Sequence, residues 1–421
     1  MRFLAKYLEN AQNAAVEERF TVAEFRLWLA EQNVTMNLRG NDSRDHIVIS
    51  LYSLAEGLAH DWWSIFGSRD RHFSLIDHRT GFAVPDIRFS FDGAAFEISA
   101  VQRVYQNPNL RFWAGPSESL PRNEAEAQLS ALIENVLEHL KSKKLDNTSA
   151  ALRWARVLAS REDPEEQVFC ECAGALGRDP YAVDISISSL IEDAATTFSD
   201  EPLNEFMAGA RMFSAANLLQ WIRKAESRSV GKSTMYGLTE LASKVALEAP
   251  ARPPEAAWAL GYRRARAVKK HLNISQAHRF KSVQVLAKTF GASNNFEAAP
   301  RVDGARALRS DHNNTVSIHL RDHGSNSEAE SVACFGLARA VGDVACFPEP
   351  SKAIVNDLRL ATRQSAGRAF AAEFLAPVDE VQAMLKDGKD VITIADEFGV
   401  GTTLVERQIE NAQRIEEACR G

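Results

Sequence analysis

Hydrophobic positions change their period several times along the chain. Within residues 1–33, Phe3, Leu4, Tyr7 and Leu8, and then Val22, Phe25, Leu27, Trp28 and Leu29, recur at helical spacing and predict helix. Ile47, Ile49 and Leu51 alternate as in a strand, after which Leu54, Leu58, Trp62 and Phe66 recur every four residues, one face of a helix. Over 72–99 the period is two: Ile87, Phe89 and Phe91 alternate, then Phe96 and Ile98, and Asp92-Gly93 between them is a hairpin signal. Residues 1–120 therefore read as an α+β domain with a small antiparallel sheet.

From about residue 123 one helical stripe runs through Leu129, Leu132, Ile133, Val136, Leu137 and Leu140, and helical patterning continues through Leu152, Val157 and Leu158 to about 227. Asp163 is placed to cap a helix that has Pro164 at its first position, and Gly177 and Pro180 break the chain after it. Pro250, Pro253 and Pro254 mark the end of this helical domain, 121–255. The last section, 256–421, opens with GYRRARAVKKHLNI. It continues with a strand at TVSIHLRD that turns Val316, Ile318 and Leu320 one way, a helix around 331–344, a longer helix over 354–375 and a terminal helix pair. No internal repeat is visible. The class expected is multidomain α+β.

Composition narrows the field. A chain of 421 residues with 45% hydrophobic and 25% charged residues has ordinary globular composition and room for two or three cores. A formal charge of −7 argues against nucleic-acid binding through the overall field, though not against a local basic patch. The cysteines, Cys170, Cys172, Cys334, Cys346 and Cys419, are too scattered for a disulfide framework, and Cys170-x-Cys172 has no second pair with which to build a zinc ribbon; they read as buried thiols of a reducing compartment. No window approaches the roughly 18 apolar residues of a membrane span, and MRFLAKYLENAQNAAVEERF carries charge throughout, unlike a signal peptide. The expectation is a cytoplasmic protein with no membrane partner.

Several short motifs carry less chemistry than they suggest. GKST at 231–234 has Glu226 where a phosphate-binding loop needs its first glycine, so it reads as a basic linker. Trp62-Trp63 suits a core anchor better than a ligand platform. His319 and His323 have the spacing of helical zinc ligands, but VSIHL is a strand running into a loop, so the imidazoles would not share a face. The cluster RRARAVKKH (263–271) reads as a solvated helix face, with Ala265 and Val268 turned inward, rather than as a nucleic-acid stripe. IADEFGVGTTLVERQI has the shape of a helix-turn-helix, with Ala395 inside, Gly399 at the turn, and Val400 and Val405 in the angle. Its second helix offers Thr402, Thr403, Glu406, Arg407 and Gln408, only one of them cationic, so it reads as a packing unit more than a DNA reader.

The runs SVACFGLARAVGDVACF, RQSAGRAFAAEFLAPVDEV and ITIADEFGVGTTLVERQIENA resemble, in order and spacing, the ImmA/IrrE family of zinc metallopeptidases. Its pattern is a helix of the form F-x-L-A-H-E-x-x-H, a second helix with an acidic ligand before A-N-x-F-A-A-x-L-L-x-P, and a helix-turn-helix-like ending. SLAEGLAHDWW and ECAGALGRDPY look like the N-terminal extension of longer members, so the likeness covers about 60% of the chain and is most specific over 335–338 and 370–377. It implies a zincin-like, mainly helical domain over 256–421 with a short sheet.

The chemistry of that family is not carried over. Its first histidine position is Arg339, its glutamate is Ala340, its second histidine is Asp343, and its acidic-ligand region reads Gln364-Ser365-Ala366. A guanidinium has no lone pair to give a metal, alanine moves no proton, and one aspartate does not hold Zn²⁺. Arg339 and Asp343, four apart on a helix, are expected to pair across the emptied pocket. The implied function is a catalytically inactive, peptidase-like protein that acts by binding a protein partner, such as a helix-turn-helix repressor or a defence-module component, as a regulator, scaffold or sensor in a bacterial stress, mobile-element or phage-defence module. It would use no cofactor and no metal, with Arg339, Asp343, His319 and Arg368 lining the old cleft. The alternatives are a metal-dependent peptidase using His312, His319, His323 and Asp343 with Glu373 as base, and a DNA-binding regulator.

Overall fold

Strand pairing, not helix, organises the start of the chain. The computed structural model describes residues 1–421 except 9–14, 104–109, 229–231, 253–254, 281, 294–296, 325 and 421; of 228, 327 and 414–420 it describes the backbone only. The first strand, β1 (Arg2–Tyr7), pairs antiparallel with β2 (Val22–Leu29) across the short helix α1 (Val16–Phe20). In β2, Ala23, Phe25, Leu27 and Leu29 are buried while Glu24, Arg26 and Trp28 face outward, a clean period of two. The helix expected over 1–33 is therefore corrected: the apolar residues fit both periods, and the alternating Glu24 and Arg26 decide for the strand.

The chain divides into two compact units, Met1–Ile191 and Glu192–Gly421. The helices read as a middle domain are thereby shared between them. In the first unit, β3 (Gln32–Asn33) and β6 (Ile47–Ser50) also pair with β2, and β4 (Asn37–Arg39) lies between β5 (Asp42–Arg44) and β10 (Leu110–Phe112). A third sheet has the order β11-β9-β8-β7, formed by β7 (Phe73–Ser74), β8 (Asp86–Phe91), β9 (Ala95–Val101) and β11 (Ser117–Pro121). The β8–β9 hairpin forms as expected, though its two turn residues are Gly93-Ala94. Gly93 takes φ 97°, and Asp92 Oδ1 accepts from the Ala94 and Ala95 amides. The helix α2 (Leu51–Gly67) forms the centre of this unit, surrounded by α3 (Arg122–Ser142), α4 (Ser149–Glu162) and α5 (Pro164–Ala175). Trp62 and Trp63 are core anchors, as expected: Trp62 lies 5.0 Å from Phe66 and 4.9 Å from Trp154, and Trp63 Nε1 donates to the Tyr181 hydroxyl at 3.0 Å. Asp163 caps α5 through the Glu165 and Glu166 amides, with Pro164 leading the helix.

The helix α6 (Ile185–Ala195) spans the division. The second unit follows with α7 (Asp200–Ala210), α8 (Ala215–Arg228), β12 (Thr234–Met235), α9 (Leu238–Glu248), α10 (Ala257–His271) and α11 (Val283–Thr289). Then come β13 (Ala307–His312), β14 (Thr315–Leu320), α12 (Ser327–Cys346), β15 (Lys352–Val355) and α13 (Thr362–Leu375). The chain ends in α14 (Val378–Lys386), α15 (Val391–Phe398) and α16 (Thr402–Arg420). The sheet is antiparallel in the order β12-β14-β13-β15. Its β13–β14 hairpin turns on Asn313-Asn314, both at positive φ (47° and 61°). The single helix expected over 354–375 is corrected: Ile354 lies in β15 opposite Leu308, and α13 begins only at Thr362. The terminal pair turns as expected at left-handed Gly399 with Ala395 and Val405 buried. Mixed α+β architecture with several small antiparallel sheets thus holds throughout, and among the described residues no helix is long and apolar enough to cross a membrane.

The first core depends on a close helix crossing. A Cβ on Gly174 of α5 would lie 2.3 Å from the Trp63 carbonyl oxygen, and one on Gly67 of α2 would lie 2.5 Å from that of Glu171. Both obstacles are backbone, so neither side can yield cheaply. Gly174→Val is expected to lower stability by about 3 kcal/mol or more in denaturant titration. Gly401→Ala, where nothing lies within 4 Å, should change it little.

Candidate functional site

The positions marked by the metallopeptidase resemblance lie on α12 and α13, beside the β13–β15 end of the sheet, and all four are buried: Arg339, Ala340, Asp343 and Gln364. They do not form the contact expected of them. Arg339 donates from Nη1 to Asp357 Oδ1 at 3.0 Å, and from Nη2 to the Asn356 carbonyl and to Gln364 Oε1, the latter at 3.1 Å. Asp343 Oδ2 instead accepts from Arg309 Nη1 at 3.0 Å and Arg363 Nη2 at 2.7 Å. The predicted Arg339–Asp343 pair is therefore corrected. Asp343 is met by guanidinium groups from β13 and α13, and Arg339 finds its acceptors on the turn after β15.

Arg309 is the hub of the first network. Wholly buried, it grips Asp311 through Nε and Nη2 (3.0 and 2.6 Å), Asp343 through Nη1, and the carbonyls of Phe347 and Glu349 at 2.8 and 2.7 Å. Arg363 lies over the Phe347 ring at 4.9 Å. In the second network Gln364 works in both directions. Its Oε1 accepts from Arg339 and from the Asn356 amide (2.9 Å), and its Nε2 donates to Glu205 Oε2 (2.7 Å) and the Ile354 carbonyl (2.9 Å). Burial, reinforced by Arg368, pulls the Arg339 guanidinium down to about 10 against the pull of Asp357, which leaves it charged near neutrality. Burial also pushes the Glu205 carboxyl up to about 8, with Glu201 adding to the rise and Arg363 and Gln364 opposing it.

Of the other expected cleft residues, Arg368 lies close enough to act on Arg339, while the histidines and Glu373 are placed elsewhere. In the β13–β14 register Arg309 faces Ile318, and Leu308 faces His319, so alternation sends His319 to the other side of the sheet from Arg309. Burial holds the His319 imidazole down at about 4, and its Nδ1 has no partner among the described residues. His323 lies beyond β14, likewise held down at about 4 by burial, and His312 ends β13. Arg368 donates to the carbonyls of Leu358 and Arg359 at 2.7 and 3.1 Å. Glu373, the alternative base, is buried and occupied: it accepts from Arg266 Nε at 2.6 Å and from the Val378 amide at 3.0 Å, tying α13 to α10 and α14.

The donor set around Asp343 does not suit a divalent metal. The carboxylate is flanked by two guanidinium cations, and among the described residues no three His, Cys, Asp or Glu side chains are grouped to hold an ion. The Cys170 and Cys172 thiols are buried and pushed up to about 12, as inert core groups are. The side chain of Cys419 and the residue Gly231 of the GKST run lie outside the described residues, and Lys232 of that run pairs with Glu297 at 2.8 Å.

The basic run on α10 is corrected in part. Ala265 and Val268 are buried and Arg266 and Lys270 exposed, as expected, but Arg264 and Lys269 are buried too, and Arg263 pairs with Glu255 at 2.5 Å and Arg266 with Glu373. In the terminal pair Gln408 is buried and committed to Tyr262 and the Ala376 carbonyl, which leaves Thr402, Thr403, Glu406 and Arg407 on the exposed side. Comparison with family models, curated proteins and solved structures gave no match.

Sequence reasoning missed Arg309, Arg363, Asp357 and Glu205. The one available signal was Asn313-Asn314, which pairs β13 with β14 and so brings Arg309 against α12. Two outcomes follow from the networks. Asp343→Asn leaves two buried guanidinium groups without their shared anion and should cost about 3–5 kcal/mol in equilibrium unfolding. Glu205, raised in the folded state from its ordinary 4.5 to about 8, keeps a proton that the unfolded chain releases. It therefore withdraws stability as pH rises through that window. Glu205→Gln should match the parent Tm below pH 4.5 and exceed it by a widening margin up to about pH 8.

Proposed function

We propose that the Glu192–Gly421 unit is a peptidase-like frame that acts by binding a protein rather than by cutting one. The observation that carries this reading is Arg339. Where the resemblance calls for the first metal-binding imidazole, a buried guanidinium is tied to Asp357, Asn356 and Gln364, three acceptors from two other segments. A fixed cation there opposes metal binding, and Ala340 beside it has no group to move a proton. The surrounding apolar frame, Leu337, Ala338, Phe370 and Leu375, is packed in the core and would keep the outer surface of the helices in shape. The partner class suggested by the resemblance is a helix-turn-helix repressor or another component of a bacterial stress, mobile-element or phage-defence module.

The test is to mix the full chain with helix-turn-helix repressors of its host in the presence of Zn²⁺ and follow both association and fragment masses. A stable complex with the repressor intact, and no stoichiometric zinc by elemental analysis, is expected. Chelator-sensitive cleavage, or one zinc per chain, would overturn the reading in favour of a peptidase with non-standard ligands. A salt-sensitive mobility shift with DNA and no repressor complex would favour a DNA-binding regulator.

A further inference from the structure

The second unit holds a cleft of about 560 Å³ that neither buried network uses. Its size falls within the range of small-molecule sites. One wall is a stripe of α8 and the turn before it, with Phe213, Asn217, Gln220 and Lys224; the other is the segment 300–303, with Arg301 and Asp303.

The walls are held together independently of any ligand. Trp221 Nε1 donates to the Pro300 carbonyl at 2.6 Å. Gly304, at φ 90°, lets the Phe213 ring lie where a Cβ would come within 2.6 Å of it. The site is thus built before it is filled, which lowers the ordering cost of binding.

The chemistry along the cleft is graded. Lys224 and Arg301 are exposed, and among the described residues neither has a carboxylate within ion-pair distance, so both are available to an anion. Phe213 is 36% exposed and offers a ring face. Ser214 accepts from the Asn217 amide at 3.3 Å and so caps α8 at the Phe213 end. Ten residues separate it from Lys224, about 15 Å at the helical rise. Asn217 and Gln220 present amides that both donate and accept between these ends, and Asp303 is the acceptor suited to hydroxyl groups.

We propose that this cleft binds a nucleoside monophosphate, with the phosphate at Lys224 and Arg301, the base against Phe213 and the amides, and the sugar hydroxyls toward Asp303. A phosphate satisfies two unpaired cations with charge-assisted hydrogen bonds, and an aromatic base satisfies the ring and the amides. The inference does not depend on whether the chain binds or cuts proteins.

Isothermal titration of the full chain with AMP, GMP, CMP and UMP, and separately with orthophosphate and adenosine, tests it. At least one nucleotide should bind at sub-millimolar concentration, more tightly than phosphate or adenosine, and more weakly as salt rises. Lys224→Glu and Arg301→Glu should each weaken it about tenfold or more. Phe213→Ala should weaken the nucleotide while leaving orthophosphate unchanged, a split that general loss of structure would not give. Unchanged melting temperatures verify that the variants fold. No binding by any of the four nucleotides, or binding indifferent to both charge reversals, would overturn the proposal.

Discussion

One carboxylate organises the centre of the second unit. Asp343 sits on α12 between guanidinium groups brought by β13 and α13, and Arg309 also holds the loop between α12 and β15 through the Phe347 and Glu349 carbonyls. Taking three charges out of water costs several kcal/mol each, and the cost is offset only where every lone pair and N–H is met. Arg309 approaches that condition, with Asp311, Asp343 and two carbonyls as acceptors. Arg363 does not: its Nε is buried without a partner among the described residues. The arrangement fixes the sheet and two helices in one relation more than it adds net stability, because an apolar core would have packed without any registry between charges.

The second network has a different balance. Arg339, Gln364, Asn356 and Asp357 form a chain in which Gln364 satisfies both a cation and a backbone amide. Glu205 at the far end is a cost. One oxygen receives the Gln364 amide, the other has no partner among the described residues, and burial raises the group's proton affinity. A neutral carboxylic acid and Gln364 are the compatible pair at this depth, so α7 is joined to α13 by a bond that weakens the fold as the acid ionises.

The sequence was most legible where burial alone decides structure. Leu54, Leu58, Trp62 and Phe66 marked α2, and Leu129 to Leu140 marked α3, because a helix with one apolar stripe has few other ways to fold. It was least legible where the same residues fit two periods. Val22, Phe25 and Leu29 are three and four apart, yet Glu24, Arg26 and Trp28 between them belong to the outer face of a strand whose neighbours, β1 and β6, are distant in sequence. The site shows the same division. That Arg339, Asp343 and Gln364 point inward followed from the helical frame. Which groups meet them did not, because Arg309, Asp357 and Glu205 arrive from segments whose contact is set only by the tertiary fold.

An i,i+4 pair on one helix is worth a few tenths of a kcal/mol when exposed, and its geometry is only approximate. Inside the core, Asp343 gains far more from guanidinium groups approaching from other elements, which can align their N–H bonds with its lone pairs. Arg339 is then free to turn toward Asp357 and the carbonyl before it. The local pairing loses because burial raises the value of good hydrogen-bond geometry, and only residues from other segments supply it. The same reasoning separates the apolar frame from the polar groups it surrounds: Leu337, Ala338, Phe370 and Phe374 hold the helices, and each inward polar position needs only some partner that satisfies it.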